Sequence, residues 1–234
     1  MPEIVYEDNH LLVAVKPPNQ LTQGDNTGDE ALLDELKGYI KVKYQKPGEV
    51  YLGLVHRLDR PVGGLVAFAR TSKAASRLSE QLRSHTMHRD YLAVVENGDE
   101  LQQEGTLHHW LMKDEASGNV RAVKAGIPSA QEAKLHYTVL ARQNGTALVH
   151  VVLETGRKHQ IRVQFASSGH PLRYDMRYGQ GERGQNIALW GTLLTLAHPT
   201  QKQPMTFISS PRGEAFKPYA ETIDRFLSGK GDQL

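Results

Sequence analysis

Two charged segments set in apolar surroundings carry residue types that can do chemistry. The first is His56-Arg57-Leu58-Asp59-Arg60, entered from the extended stretch Tyr51–Val55 and left through Gly63-Gly64 into the apolar run Leu65–Ala69. A carboxylate in such a bend sits on a loop held by two strands, a common place for a group that must be aimed. The second is Gly156-Arg157-Lys158-His159-Gln160-Ile161-Arg162, which puts Arg157 and Arg162 near the first turn of a helix. A guanidinium brought against Asp59 would keep the carboxylate ionised and fix its rotamer, as a nucleophile or general base requires. Residue types alone leave open that the two form an ordinary tertiary salt bridge.

Other apparent motifs fail on their context. Gly179-Gln180-Gly181-Glu182-Arg183-Gly184 matches a dinucleotide loop, but no buried strand leads into it and no acid follows at the ribose distance, so it reads as a loop. His88-Arg89-Asp90 spells the start of a kinase catalytic loop, yet Val95 stands where the metal-binding asparagine belongs and no Asp-Phe-Gly occurs. The histidines lack metal-ligand spacing, His108-His109 being the densest pair. Ser167-Ser168-Gly169 resembles a helix end, not a nucleophile elbow.

The elements that would position the two segments follow from period and punctuation. Ile4–Tyr6 and Leu11–Val15 read as a hairpin about Glu7–His10, stopped at Lys16-Pro17-Pro18-Asn19. Thr27-Gly28-Asp29-Glu30 has capping-box spacing before Leu32, Leu33, Leu36 and Ile40 at helical period, with Lys46-Pro47-Gly48 ending the helix. Thr71-Ser72 can cap a second helix that carries Leu78 and Leu82 on its inner face. Tyr91–Val95, Leu135–Leu140, Ala147–Leu153, Leu189–Ala197 and Met205–Ile208 read as strands. A third helix starts after His159 and stops at Gly169 and Pro171. Strands with interspersed helices but no regular βαβ alternation predict an α+β fold. Lys113–Ser129 reads as a long hairpin or loop, and no linker divides the chain. The expectation is one domain over residues 1–227, with a flexible tail at 228–234.

Composition narrows the chemistry. The chain has 234 residues, 39% of them hydrophobic and 23% charged, which is enough apolar material for a core. It contains no cysteine, which removes disulfides, thiolate nucleophiles and cysteine-ligated metals, and suits a reducing compartment. No apolar run approaches the ~20 residues of a membrane helix, and Met1-Pro2-Glu3 does not open a signal peptide, so a cytoplasmic protein is expected. The net charge of +2 is modest, but its distribution is uneven. Asp90, Asp99, Glu100, Glu104, Asp114 and Glu115 stand against Lys113, whereas Arg157, Lys158, Arg162, Arg173, Arg177 and Arg183 stand against only Asp175 and Glu182. Such clustering is what a phosphate-contacting face needs, and also what a solvated surface looks like.

Taken together, the charged segments resemble the RluA-type pseudouridine synthases, which isomerise uridine to pseudouridine inside RNA. His56-Arg57-Leu58-Asp59 is similar to that family's nucleophile motif, Arg89-Asp90-Tyr91-Leu92-Ala93 to its Lys-x-Tyr-x-Ala strand, and the Gly156–Arg162 block to its basic motif. Ile4–Asp8 with Lys16-Pro17, Gly169-His170-Pro171 with Asp175 and Tyr178-Gly179, and Leu196-Ala197-His198-Pro199 add matches in family order. The resemblance implies Asp59 as nucleophile, Tyr91 at the base, and Arg162 as the basic partner of Asp59. It further implies His56, Arg57, Arg60, Arg89, Arg157, His159 and Gln160 as substrate-binding residues. Four positions depart from the pattern. Val62-Gly63 replace the family's Thr-Ser after the aspartate, keeping only the glycine at Gly64, while Arg89 replaces lysine and Asn19 replaces a turn glycine.

The implied fold is a bent, mixed, mainly antiparallel sheet with flanking helices and a central RNA cleft. The implied reaction is an isomerisation, which needs no cofactor and no metal. The implied partner is ribosomal or transfer RNA, with no membrane, no DNA and a monomeric enzyme. An alternative is a catalytically silent RNA-binding protein on the same scaffold, and an unrelated acid–base hydrolase using Asp59 is another.

Overall fold

A computed structural model describes residues 1–115, 117–182 and 184–231. In chain order the elements are β1 (Glu3–Glu7), β2 (Leu11–Lys16), α1 (Leu32–Lys43), β3 (Gly53–Leu54), β4 (Gly63–Ala69), α2 (Ser72–Arg83), β5 (His88–Glu96), β6 (Glu104–Lys113), β7 (Val120–Val123), β8 (Gln131–Gln143), β9 (Thr146–Leu153), α3 (Gln160–Ser167), β10 (Leu189–Ala197), β11 (Pro204–Ile208), a 3-10 turn (Glu214–Tyr219) and α4 (Ala220–Gly231). Every strand pairing described below is antiparallel, and the helices are few, so the class is α+β. No helix among the described residues is long and apolar enough to cross a membrane.

Where the sequence predicts one domain, the chain divides into two compact units: residues 1–89 with 191–209, and residues 90–190 with those from Ser210 on. The chain changes unit within strands, at Arg89/Asp90 in β5 and at Trp190/Gly191 in β10, so no linker composition marks the boundary.

In the first unit, β2 lies between β1 and β4, and all six of its residues are buried. Its continuous apolar run is what a strand covered on both faces requires. β3 adds a short rung beside Ala69 and Phe68 of β4, and β11 pairs with β10. Helix α2 begins as expected, with the Thr71 hydroxyl accepting from the Ala74 N–H at 3.1 Å. Helix α1 begins differently. The Thr27 hydroxyl turns to Asp25, and the Leu32 and Leu33 N–H groups donate to the carbonyls of Leu21 and Thr22 at 2.8 and 3.2 Å. Backbone acceptors from a neighbouring segment thus do the work of a cap, which local spacing could not reveal.

In the second unit the strand order is β5-β9-β8-β6-β7. The acidic and charged stretch around 104–123 is a hairpin of β6 and β7, so the Lys113–Ser129 segment holds a turn and then a strand. Helix α3 ends as its residues predict. Gly169 takes φ +84°, and the His170 N–H reaches back to the Phe165 carbonyl at 2.9 Å. The tail expected from Ser228 instead continues helix α4 to Gly231, and residues 232–234 lie outside the described residues.

Candidate active site

The Asp59 loop belongs to the first unit, and buried polar side chains hold it at three points. His56 is 7% exposed and its Nε2 accepts from the Ala67 N–H of β4 at 3.1 Å. Just past the two rungs that β3 contributes, this ring takes the place of a strand residue. An accepting Nε2 puts the neutral ring's proton on Nδ1. Burial, assisted by the charge of Arg89, pushes the His56 pKa down to about 3, so the ring stays neutral. The Thr22 hydroxyl meets both backbone groups of Leu58. Lys16, fully buried, donates its ammonium to the carbonyls of Pro17, Gln20 and Arg60 at 2.9, 2.8 and 3.0 Å. Burial pushes the Lys16 pKa down to about 7, opposed by the nearby Asp59 carboxylate and reinforced by Arg60.

Within the loop itself, the Val62 N–H donates to the Asp59 carbonyl at 3.0 Å. Gly64 then passes so close to Gly191 that a Cβ on it would lie 2.4 Å from that residue's backbone, and its φ is +127°. That contact explains why the glycine is kept where the two hydroxyl residues of the family pattern are not. Arg57 and Arg60 are exposed. Arg60 pairs with Asp29 at 2.6 Å and reaches the Asn19 carbonyl at 3.2 Å, and Asn19 takes the left-handed conformation (φ +68°) that the replaced glycine would have supplied.

The basic segment belongs to the second unit. Arg162, on the first turn of α3, donates Nε and Nη2 to the two carboxylate oxygens of Asp175 at 2.8 and 2.7 Å. Asp175 is fully buried and also accepts the N–H groups of Arg177 and Tyr178 at 2.9 and 3.2 Å. Burial acts to raise its pKa, but Arg162 and the two amides outweigh that and hold it below the usual carboxylate value. Tyr178 stacks on Arg162, with the guanidinium carbon 5.1 Å from the ring centre. The Tyr178 hydroxyl accepts from the Val120 N–H at 3.0 Å and meets His159 Nδ1 at 2.7 Å. The pairing with Asp175 is side-on, through Nε and Nη2 of the guanidinium.

Tyr91, on β5, is 6% exposed. It sits opposite Val151 of β9, which in turn sits opposite Tyr137 of β8, so these three side chains share one face. Tyr137 packs on Phe165 of α3 with ring centres 5.5 Å apart. Phe165 lies one turn beyond Arg162, so Tyr91 is on the face that α3 covers.

Several expected substrate contacts have other occupations. Gln160 is buried, and its amide accepts from the Thr155 hydroxyl and the Arg157 N–H and donates to the Lys134 carbonyl. Gln160 and His56 are therefore placed in the framework that shapes the two segments. Arg157 is exposed while its Nε holds the Glu132 carbonyl at 2.9 Å, and His159 starts α3 from φ +53°. Arg89 is half-buried beside His56. Arg173 lies 4.0 Å from Glu96 and stacks on Tyr174, Arg177 is exposed, and Arg183 lies outside the described residues.

Sequence reasoning assigned no function to Lys16, Thr22 or Tyr178. A lysine ending an apolar strand before Pro-Pro is the one signal that could have exposed Lys16. Asp175 was visible as one of two acids in the basic window, but not as the clamp on Arg162.

The RNA pseudouridylate synthase family matches residues 10–167, which include Asp59, Tyr91 and Arg162. The chain belongs to this family. It is 36% identical over 201 residues to a Bacillus subtilis (strain 168) protein named uncharacterized RNA pseudouridine synthase YhcT, covering 84% of this chain and 64% of that one. It is 31% identical over 228 residues to ribosomal large subunit pseudouridine synthase C of Vibrio vulnificus (strain CMCP6), covering 94% and 69%. Pseudouridine synthase D of the large ribosomal subunit from Nitrosomonas europaea is 35% identical over 179 residues, covering 76% and 50%. The chain thus spans from half to about two thirds of the length of these relatives. The solved structure titled Human RNA Pseudouridylate Synthase Domain Containing 4 superposes with a TM-score of 0.74 at 21% identity, covering 95% of this chain and 92% of that one. The fold is therefore that of the pseudouridine synthases.

Proposed function

We propose that this pseudouridine-synthase chain isomerises a uridine to pseudouridine within RNA, with Asp59 as the nucleophile. The observation that carries the reading is the family match over the segment that contains Asp59, Tyr91 and Arg162. The loop contacts support it: a carboxylate on a main chain held by Thr22, Lys16 and Val62 is prepared for a single geometry.

The reaction breaks the N1–C1′ bond, turns the uracil, joins C5 to C1′ and moves the C5 proton to solvent while N1 gains one. A carboxylate nucleophile divides this change into two easier steps through a covalent intermediate. In this reading Arg162 keeps Asp59 ionised, and Tyr91 lies against the uracil and assists loss of the C5 proton. Arg57, Arg60, Arg89 and Arg157 contact RNA phosphates. A uridine in a stem is first flipped out, at a cost of a few kcal/mol.

The substrate class we favour is large-subunit ribosomal RNA, because the relatives from Vibrio and Nitrosomonas carry that substrate in their names. A transfer RNA is the second candidate. A chain without cysteine suits the reducing cytoplasm, and sedimentation of the free protein checks the monomer expected there.

Tritium release from RNA labelled at uracil C5 tests the activity, since only the synthase exchanges that proton. Ribosomal RNA is expected to release label and Asp59→Asn to abolish release, with RNA affinity changed by no more than a few-fold because binding is spread over many phosphate contacts. An Asn variant keeping more than about a hundredth of the wild-type rate would remove Asp59 from the nucleophile's role. Binding without any release would favour the silent RNA-binding alternative.

A further inference from the structure

The Asp59 loop lacks the two hydroxyl side chains of the family pattern, because Val62 and Gly63 occupy those places. A hydroxyl nevertheless reaches the loop from another part of the chain. Thr22, 4% exposed, donates Oγ1–H to the Leu58 carbonyl at 2.9 Å and accepts the Leu58 N–H at 3.3 Å. One hydroxyl, acting as donor and acceptor together, thereby satisfies both backbone groups of the residue before Asp59.

Thr22 is itself immobilised from the other side. Its carbonyl accepts the Leu33 N–H at 3.2 Å, and the Leu21 carbonyl accepts the Leu32 N–H at 2.8 Å, so the first turn of α1 holds the backbone of residues 21 and 22. A β-branched side chain adds a restricted χ1. Leu58 contributes a buried side chain of its own, at 6% exposure. Beyond Asp59, the Val62 N–H and the Lys16 ammonium hold the Asp59 and Arg60 carbonyls. The backbone entering Asp59 is therefore fixed by Thr22, and the backbone leaving it by Lys16 and Val62.

We propose that Thr22 is a positioning residue for Asp59, acting through the backbone of Leu58 and supplying from outside the loop a hydroxyl that the loop itself lacks. The inference rests on Asp59 being the nucleophile. A residue that only stabilises the fold would leave turnover per folded molecule unchanged. A residue that aims the carboxylate changes turnover and leaves RNA binding alone.

The test compares Thr22→Val, Thr22→Ser, Thr22→Ala and Asp59→Asn in the tritium-release assay, each at a temperature where its melting curve shows it fully folded. Thr22→Val keeps the side-chain shape and leaves the Leu58 amide and carbonyl without their partner. Its kcat is expected to fall about 10- to 100-fold, the range that small misplacements of a reacting group produce. Its KM is expected to stay within about three-fold, as for an interaction expressed only in the chemical step. Thr22→Ser, which restores the oxygen, is expected to return kcat to within about three-fold of wild type.

If Thr22→Val does not fold, the Ser and Ala variants, which differ by one oxygen, decide the matter by a kcat ratio of about ten. Wild-type kcat in folded Thr22→Val, or equal kcat in the Ser and Ala variants, overturns the proposal when Asp59→Asn is inactive. A change confined to KM overturns it as well. An active Asp59→Asn overturns the reading of Asp59, and the role of Thr22 with it.

Discussion

Three contacts hold the main chain around Asp59: Thr22 on Leu58, Lys16 on Arg60, and Val62 on Asp59 itself. Around Arg162 they fall on the side chain, where Asp175 takes two guanidinium nitrogens and Tyr178 lies against the plane. The number of rotors explains the difference. An aspartate has two χ angles, so fixing its backbone leaves its carboxylate only a few staggered placements. An arginine has four and about 2 kcal/mol of rotamer entropy, so a fixed backbone leaves the guanidinium free to wander unless something grips it directly. Holding the backbone therefore goes further towards placing the short charged group than the long one.

The strongest way to break this comparison is at Asp175. Replacing it by Ala leaves the buried Arg162 charge without its bidentate partner, and removing one member of such a pair typically costs about 3–5 kcal/mol. Urea unfolding is expected to show a loss of that size, with turnover lost as well. A loss below about 1 kcal/mol, ordinary for an exposed pair, would show that Arg162 is aimed by something else.

Arg162→Lys removes geometry while keeping charge. Lysine cannot offer Asp175 two parallel donors in a planar fork. Single-turnover rates are expected to drop about a hundred-fold, or ~2.7 kcal/mol. Near-normal turnover would mean that charge alone suffices.

The His56 prediction concerns stability and pH. Its folded pKa is about 3, against 6.5 for the ordinary value. The unfolded chain therefore binds a proton that the folded chain refuses, and stability falls as the pH drops from about 6.5 towards 3. At one proton the slope is at most about 1.36 kcal/mol per pH unit, or ~2 kcal/mol at pH 5. Unfolding midpoints at pH 7 and 5 are expected to differ more for the wild type than for His56→Gln, which has nothing to titrate there. Equal pH dependence in the two proteins would show that the imidazole is not held neutral.

The smallest effect expected is on the RNA track. Arg157, Lys158 and Arg177 are exposed, whereas Arg173 is half-buried beside Glu96 and Tyr174. Neutralising the three exposed residues is expected to reduce the slope of log K against log salt by about 2, at roughly 0.7 per phosphate contact on a single strand. Neutralising Arg173 alone is expected to change it by less than one contact's worth. The reverse order would put the RNA on the Arg173 side of this unit.

The positions of most strands and of helices α2 and α3 were legible, because short apolar runs, the Thr71 cap and the Gly169 stop are local signals. The start of α1 was misread, because the Thr27 spacing competes with carbonyls that arrive from residues 21 and 22. The segment holding the β6–β7 turn was read as a long hairpin or loop without its strands being placed, since the exposed residues mask the alternation of the few buried ones. His56 and Gln160 read as contacts for a substrate, since a polar side chain shows its chemistry in a sequence but not its burial.

What residue order determined alone was local or recognisable as a pattern: the α+β class, the chain order of its motifs, the absence of cysteine, and the family resemblance carried by the blocks around Asp59, Tyr91 and Arg162. Only the tertiary structure decided who holds whom. Thr22 meets Leu58 and Lys16 meets Arg60 across a helix and a loop, and Arg162 finds Asp175 only after α3 has ended and the chain has turned back. Hydrogen bonds of that kind have no spacing rule, because they depend on where packing of the apolar faces carries each backbone and not on the residues between.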